Sequence, residues 1–152
     1  MDARWFLAEV VDPTILDFRN NHLSWRHALA AVAVVDMLMA HVFEYIGGSG
    51  SNELNAKDDS DFRNILAKEN LSVELLRDVA KAQKHVTLTR HQPKVSSFSD
   101  TSLVAKTYGS GAYGVGPYGG GFMVKISDGK NVSLLSLISE ALDFLCVRFD
   151  LR

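Results

Sequence analysis

The fold is decided by residues 24–46, which read SWRHALAAVAVVDMLMAHVFEYI. This stretch contains neither glycine nor proline, and Gly47 and Gly48 follow it directly, so the pattern predicts one long helix that ends there. Most of its circumference is apolar, which is typical of a helix at the centre of a bundle. Its apolar side is predicted to consist of Trp25, Ala28, Leu29, Val32, Val35, Met39, Val42, Phe43 and Ile46.

Polar residues interrupt this helix along one stripe, which consists of Arg26, Asp36 and Glu44, with Ala33 and Ala40 between them. Asp36 is the most informative of these residues, because a carboxylate in the middle of an apolar helix must be paired or must line a cleft. Arg63 and Arg77 are the candidate partners, and a structural ion pair is the favoured interpretation because buried charges are normally paired. The small alanines beside Asp36 would allow another helix to approach closely.

Further helical patterns lie on both sides of this helix. A short amphipathic piece at 3–11 precedes a helix that we expect to begin at Asp12-Pro13, because aspartate caps helices and proline suits their first turn. The other patterns predict a helix over 62–68 capped by Asp59 or Ser60, one over 72–85 capped by Ser72, and a last one over 134–149 capped by Ser133.

Strands are predicted only between residues 101 and 133. Candidate strands cover 101–107, 122–127 and 131–134, and Asp128-Gly129 is a strong tight-turn signal between the last two. The fold class is therefore mainly α within the α+β class, a bundle of four to five helices with a small antiparallel β-hairpin or meander before the last helix. We expect a single domain over 1–152, in which 101–133 is a β-hairpin insertion carrying a Gly/Tyr-rich loop at 108–121.

The composition is that of one globular domain. The chain has 152 residues, of which 47% are hydrophobic and 22% are charged, so it has enough apolar surface to fold. Its one cysteine, Cys146, excludes an internal disulfide, and the first residues lack the pattern of a signal peptide. The apolar run at 28–40 is too short to cross a bilayer and contains Asp36. We therefore predict a cytoplasmic protein with no membrane partner and no cofactor.

The net charge of −2 hides an uneven distribution along the chain. Residues 1–76 hold 6 basic and 12 acidic side chains, whereas residues 77–130 hold 8 basic and 3 acidic ones. Within the basic part, Arg77, Lys81 and Lys84 share one helix face, and Arg90 follows them. Positive charge interleaved with aromatic rings suits single-stranded nucleic acid. The alternative is a solvated helix face that pairs with the acidic part of the chain.

The aromatic rings come from a repeat of period five within residues 108–122. The pattern G-x-G-x-x-G occurs in this repeat, but a proline and further glycines exclude the helix that a dinucleotide site requires after it. A flexible hairpin loop is the simplest interpretation, because dense glycine makes ordering costly. Alternatively, the rings of Tyr108, Tyr113 and Tyr118 could stack on bases or cover a partner protein.

A second candidate site is built from histidines and acids on two helices. His41 and Glu44 share an edge of the long helix, and Asp78 and His85 share an edge of the 72–85 helix. If the two edges face each other, these side chains could hold a metal or carry acid–base chemistry. Metal-binding bundles repeat a Glu-x-x-His pattern that is reversed and single here, so a hydrogen-bonded structural cluster is the favoured interpretation.

A resemblance to a known family involves the long helix with Asp36 and the segment from Arg77 to His85, RDVAKAQKH. Together they resemble the HEPN superfamily of small bacterial helical bundles, whose ribonuclease members combine an arginine with a following histidine. The resemblance implies metal-independent RNA cleavage, with His85 as the acid–base group, Arg77 stabilising the phosphate and Asp36 as a third candidate. Seven residues separate Arg77 from His85 here, a wider spacing than the family uses.

Three functions from different classes fit these patterns. The leading hypothesis is a binding module for nucleic acid or a partner protein, whose binding face carries Lys81, Lys84, Arg90 and the three tyrosines. The alternatives are the HEPN-like ribonuclease and a metal-dependent bundle enzyme that uses His41 and His85. A homo-oligomer is a further expectation that the sequence leaves open.

Overall fold

The computed structural model describes residues 2–48, 52–85, 88, 93–104 and 120–152. It is mainly helical, with a small three-stranded antiparallel sheet before the last helix, which confirms the predicted fold class. The helices are α1 (Ala3–Phe6), α2 (Asp12–Asn20), α3 (Trp25–Tyr45), α4 (Asp59–Glu69), α5 (Leu71–His85) and α6 (Leu134–Arg148). A π-helical segment, Leu7–Val11, joins α1 to α2.

The long helix α3 is the centre of the bundle, as its apolar circumference predicts. Its buried side chains include Val32, Val35, Met39 and Val42, which pack into one core with residues of the other helices. The glycines end it as expected: Gly47 and Gly48 both have positive φ, and the Gly48 amide donates to the Phe43 carbonyl at 2.9 Å. This left-handed cap is easiest for glycine, because other residues pay a steric penalty there.

Trp25–Tyr45 is also the one helix in the described part of the chain that is long and apolar enough to cross a membrane. Its mean hydropathy is 1.6, and half of the window concerned is buried inside the protein. The core helix of a soluble protein passes the same test. The cytoplasmic location and the absence of a membrane partner therefore stay predictions.

The α-helix α2 begins at Asp12 with Pro13 in its first turn, as predicted, but Asp12 does not cap it. The chain is helical from α1 through α2, and the residue before Asp12 already has helical backbone angles. Pro13 has no amide hydrogen to donate, and the π-helical turn absorbs this defect: the Asp12 amide donates to the Leu7 carbonyl, five residues back. The Thr14 hydroxyl then donates to the Val10 carbonyl at 2.7 Å.

The caps of α4 and α5 also differ from the predicted ones. Asp58, rather than Asp59 or Ser60, caps α4, and its carboxylate accepts from the Asp61 amide at 2.8 Å. Asn70 caps α5 in place of Ser72, because its side-chain oxygen accepts from the Val73 amide at 3.0 Å. Several residues of capping type stand next to each other at both places, and packing decides which of them takes the cap.

Ser72 acquires a different role inside α5. Its side chain is buried, and its hydroxyl donates to Glu140 Oε2 on α6 at 2.7 Å. The bond ties two helices whose apolar faces pack against each other in the core. A residue that the sequence marked as a local cap therefore makes a tertiary contact.

The sheet has the order β1-β2-β3 and is antiparallel throughout. Its strands are β1 (Thr101–Val104), β2 (Gly121–Lys125) and β3 (Asn131–Ser133), which confirms strand structure in each predicted region. Residues 105–107 of the first predicted strand lie outside the described residues, as does nearly all of the predicted loop at 108–121. Ser133 caps α6, as predicted, by accepting from the Ser136 amide at 3.4 Å.

An aromatic contact joins the sheet to the beginning of the long helix. The Trp25 ring lies 4.5 Å from the Phe122 ring of β2 and 5.6 Å from Phe98, measured between ring centroids. Phe98 belongs to a single 3₁₀ turn, Phe98–Asp100, that precedes β1. The sheet therefore covers the amino-terminal end of α3, and the carboxyl-terminal half of α3 faces α4 and α5 instead.

Candidate anion-binding site

Asp36 lies on the edge of α3 that faces α4 and α5. Its side chain is 10% exposed, and its Oδ1 accepts from Arg63 Nη1 of α4 at 2.6 Å. Arg63 is itself 15% exposed, so both charges of this pair are largely removed from water. The predicted ion pair is therefore present, and of the two candidate partners it is Arg63 that contacts Asp36.

Arg63 joins two carboxylates. Besides the contact with Asp36, its Nε donates to both oxygens of Asp59, one helical turn earlier on α4, at 2.9 and 3.0 Å. Asp36 in turn has a second cation nearby, since Lys84 Nζ from α5 lies 3.5 Å from its Oδ2. Three helices thus meet at one charged cluster.

The face of α5 above this cluster carries the predicted basic residues. Arg77, Lys81 and Lys84 are spaced four and three residues apart, which places them on one side of the helix. The charges of Asp36 and Arg63 act on both Arg77 and Lys81, so this side of α5 is the side that faces the cluster. We name the four cations Arg63, Arg77, Lys81 and Lys84 the basic cluster.

Two of these cations lack an acidic partner. Among the residues that the structure describes, neither Arg77 nor Lys81 has a carboxylate within ion-pair distance. Arg77 Nη1 donates to the side-chain oxygen of Asn64 at 2.6 Å. Its Nε is buried and has no hydrogen-bond partner in the described part of the chain.

The same two cations are held in an environment that disfavours their charge. Partial burial lowers the pKa of Arg77, and repulsion from Arg63 lowers it further. Burial also lowers the pKa of Lys81, with a further lowering from Arg77. Because each cation is close to others of the same sign, a bound anion would relieve repulsion as well as supply hydrogen-bond acceptors.

Asp78 does not neutralise this surface by direct contact. Its carboxylate accepts from the backbone amides of Lys94 at 2.8 Å and Val95 at 3.4 Å, on another edge of α5. Burial raises the pKa of Asp78, although these two hydrogen bonds favour the ionised form. Its role is to anchor the 93–95 segment to the helix.

The four side chains of the proposed metal cluster are not brought together. The His41 ring stacks on Phe6 of α1, with 4.0 Å between ring centroids, and so turns away from α5. Asp78 is occupied by the 93–95 backbone, and Glu44 and His85 are exposed. No group of three or more metal-ligating side chains converges within the described residues. Within the described residues, the convergence of His41, Glu44, Asp78 and His85 on which the metal-enzyme hypothesis depends is therefore not present.

The ribonuclease candidates are brought together only in part. Arg77 lies close enough to Asp36 for the charge of that carboxylate to raise its pKa. His85, in contrast, is exposed at the end of α5. His85 is eight positions after Arg77 on the helix, a distance of about 12 Å along the axis. The remaining candidates, Arg90, Tyr108, Tyr113 and Tyr118, lie outside the described residues.

Two members of the site were not chosen as binding residues from the sequence. The sequence predicts Arg63 only as a partner of Asp36 and gives no prediction for Asn64. A usable signal for Arg63 is the spacing of four residues from Asp59, which is typical of an ion pair on one helix. No local signal marks Asn64, because its contact with Arg77 depends on how α4 packs against α5.

A polar cleft of about 440 Å³ lies elsewhere, between the 93–100 segment and the turn after β2. Three of the four charged side chains that line it are already engaged, since Lys94 pairs with Glu74, Asp128 pairs with Lys130, and Asp100 accepts from the amides of residues 96 and 97, and the fourth is Lys125. This cleft is therefore a weaker candidate than the basic cluster.

Comparisons with protein-family models, with curated proteins and with solved structures found no match for this chain.

Proposed function

We propose that this protein binds single-stranded nucleic acid through the phosphate groups, using the basic cluster on α4 and α5. The observation that carries the proposal is the state of Arg77 and Lys81. Neither has a carboxylate partner among the described residues, and Arg77, which is half-buried, keeps a buried donor without an acceptor. A phosphate group would pair with both charges.

The shape of the cluster favours a chain of phosphates over a single one. From Arg77 to Lys84 the cations extend over seven residues of helix, which is about 10 Å. Lys81 and Lys84 are exposed, so their side chains can follow the phosphate backbone of a nucleic-acid strand, whereas Arg77 is positioned by its hydrogen bond to Asn64. One fixed guanidinium and two mobile ammonium groups suit a ligand that is recognised by charge rather than by base sequence.

The geometry favours binding over cleavage. A nuclease needs an acid or base within hydrogen-bond reach of the attacked group, close to the cation that stabilises the phosphate. His85 is about 12 Å along the helix axis from Arg77. The ribonuclease therefore remains the second hypothesis, and RNA cleavage is measured in the same samples as binding.

The test is a titration of fluorescent single-stranded RNA and DNA with the protein at several salt concentrations. We expect weak binding that falls steeply with salt, and the triple variant Arg77→Ala/Lys81→Ala/Lys84→Ala should reduce the salt slope by about 2, because each lost phosphate contact removes about 0.7. The matched control is Lys57→Ala/Lys68→Ala/Lys125→Ala, which removes the same charge from exposed positions outside the cluster. Equal weakening by both triple variants would show that only net charge matters and would overturn the proposal.

Two further measurements keep the result interpretable. Because Arg77 is partly buried, the double variant Lys81→Ala/Lys84→Ala repeats the test at exposed positions, where the fold is not at risk. RNA integrity is followed in the same samples without added metal, and we expect no cleavage. Absence of any binding at low salt would refute the proposal, and metal-independent cleavage that disappears in His85→Ala would replace it with the ribonuclease.

A further inference from the structure

The outer face of α3 is apolar and has no partner in the described structure. Met37 is 51% exposed and lies at the middle of this face. Ala30, Ala33 and Ala40 surround it and are partly exposed, and their small side chains leave the helix backbone open to close approach. A long, solvent-facing helix surface is normally polar, so this one is suited to contact with another molecule.

The two ends of the same face carry opposite charges. Arg26 is exposed near the amino-terminal end of α3, and Glu44 is exposed near its carboxyl-terminal end. Neither forms an ion pair with any residue in the described ranges. Arg26 Nη2 lies 3.3 Å from Nε2 of the neighbouring His27 ring. Eighteen residues separate the two charges, which is about 27 Å along the helix.

We propose that the protein forms a homodimer in which the outer faces of two α3 helices pack antiparallel. In this register Arg26 lies opposite Glu44 of the second copy, Ala30 opposite Ala40, and Ala33 opposite Met37. Each pair is symmetric about the middle of the helix, so one two-fold axis satisfies all of them together. Such self-complementarity is what a two-fold interface requires, because the same surface must serve both copies.

The charges explain why a second copy is favoured over an unrelated partner. Positive and negative ends that flank an apolar centre match an inverted copy of the same surface, whereas a parallel copy would put like charges together. The small side chains of Ala30, Ala33 and Ala40 would let the two helices approach closely, with Met37 filling the space between them. The interface thus combines an apolar centre with a charged rim.

The dimer would also fix how the two basic clusters lie relative to each other. A role of that arrangement in nucleic-acid binding rests on the proposed function. The two-fold axis of an antiparallel helix pair is perpendicular to the plane that contains both helices, so each flank of α3 stays on its own side. Lys84 lies on one flank of α3, through its contact with Asp36, and α1 lies against another side, where Phe6 stacks on His41. Both basic clusters would therefore lie on the same side of the dimer and form one longer surface for a nucleic-acid strand.

The test measures the mass of the protein in solution by sedimentation or light scattering over a wide concentration range. We expect a concentration-dependent dimer, and Met37→Glu should make it monomeric, since two buried carboxylates would face the apolar centre. The matched control is Val147→Glu, because Val147 is 85% exposed on α6, outside this face. It should leave the dimer unchanged.

A charge exchange tests the register. Arg26→Glu or Glu44→Arg alone should weaken the dimer about tenfold or more, because each places like charges together twice across the two-fold axis. The combined variant Arg26→Glu/Glu44→Arg should restore it, which excludes a simple loss of folding. A monomer at every concentration, or failure of the combined variant to restore the dimer, would overturn the proposal. A monomer that floats with lipid vesicles would assign the face to a membrane instead. If a monomeric variant still binds nucleic acid, binding by the basic cluster does not require the dimer.

Discussion

Replacing Asp36 with leucine is the most direct test of the charged cluster. The substitution keeps a similar volume but removes the carboxylate that Arg63 Nη1 contacts at 2.6 Å and Lys84 Nζ at 3.5 Å. Arg63 then stays in its place between α3 and α4, with a side chain only 15% exposed and one of its two anionic partners gone.

The expected cost follows from these contacts. Removing one partner of a buried ion pair costs about 3–5 kcal/mol, because the other charge remains buried. Arg63 keeps its two hydrogen bonds to Asp59, which places the cost at the lower end, about 3 kcal/mol. Lys84 is 66% exposed and is rehydrated easily, so it adds little. For a chain of this length the loss corresponds to a decrease in Tm of about 6–12 °C.

The assay is urea unfolding followed by circular dichroism, with thermal melting as a second measurement. The exposed variant Asp17→Leu is the control, and it should change stability by less than about 0.5 kcal/mol. The double variant Asp36→Leu/Arg63→Leu should recover most of the loss, since replacing both partners with apolar residues is often neutral. A single variant as stable as the parent protein would refute the reasoning, because Asp36 would then be an unpaired carboxylate that lines a cleft.

Two further predictions concern α5. Burial holds the pKa of Asp78 above its ordinary value of 3.8, so the native state binds a proton more readily than the unfolded chain, and this contribution to stability is lost as the pH rises above about 4. Asp78→Asn should therefore flatten this part of the stability profile measured by urea unfolding from pH 3 to pH 7, and an unchanged profile would contradict the assignment. Ser72→Ala should cost about 1 kcal/mol in the same assay, because it removes the hydrogen bond to Glu140. Ser136→Ala, at an exposed position of α6, is its control, and an equal effect of the two substitutions would show that the α5–α6 bond does not matter.

Some local features could not be predicted from sequence, because several solutions are close in energy. At the start of α4, Asp58, Asp59 and Ser60 all have capping side chains, and packing selected Asp58. At the start of the chain, Asp12-Pro13 correctly predicts where α2 begins, but no local signal predicts the π-helical turn that joins it to α1. In both places the alternative local structures differ in free energy by only a fraction of what the packing of the apolar faces contributes.

Local patterns in the sequence set which segments become helices and strands and which of their faces are apolar. The run from Trp25 to Tyr45 has the period of a helix and ends at two glycines, so its extent and its central place follow from local physics. The requirement that Asp36 be paired follows in the same way, because a buried carboxylate is costly whatever surrounds it. The common face of Arg77, Lys81 and Lys84 is likewise set by helical geometry alone.

Only the tertiary structure decided which of these faces meet. Arg63 and Arg77 were equivalent partners for Asp36 from the sequence, and the packing of α4 against α3 selected Arg63. His41 and His85 share helix edges with acidic residues, yet His41 faces Phe6 of α1 and His85 faces solvent. The physical reason is that periodicity sets the directions of side chains around one helix axis, whereas the crossing and rotation of two helices depend on the sum of many weak contacts between them.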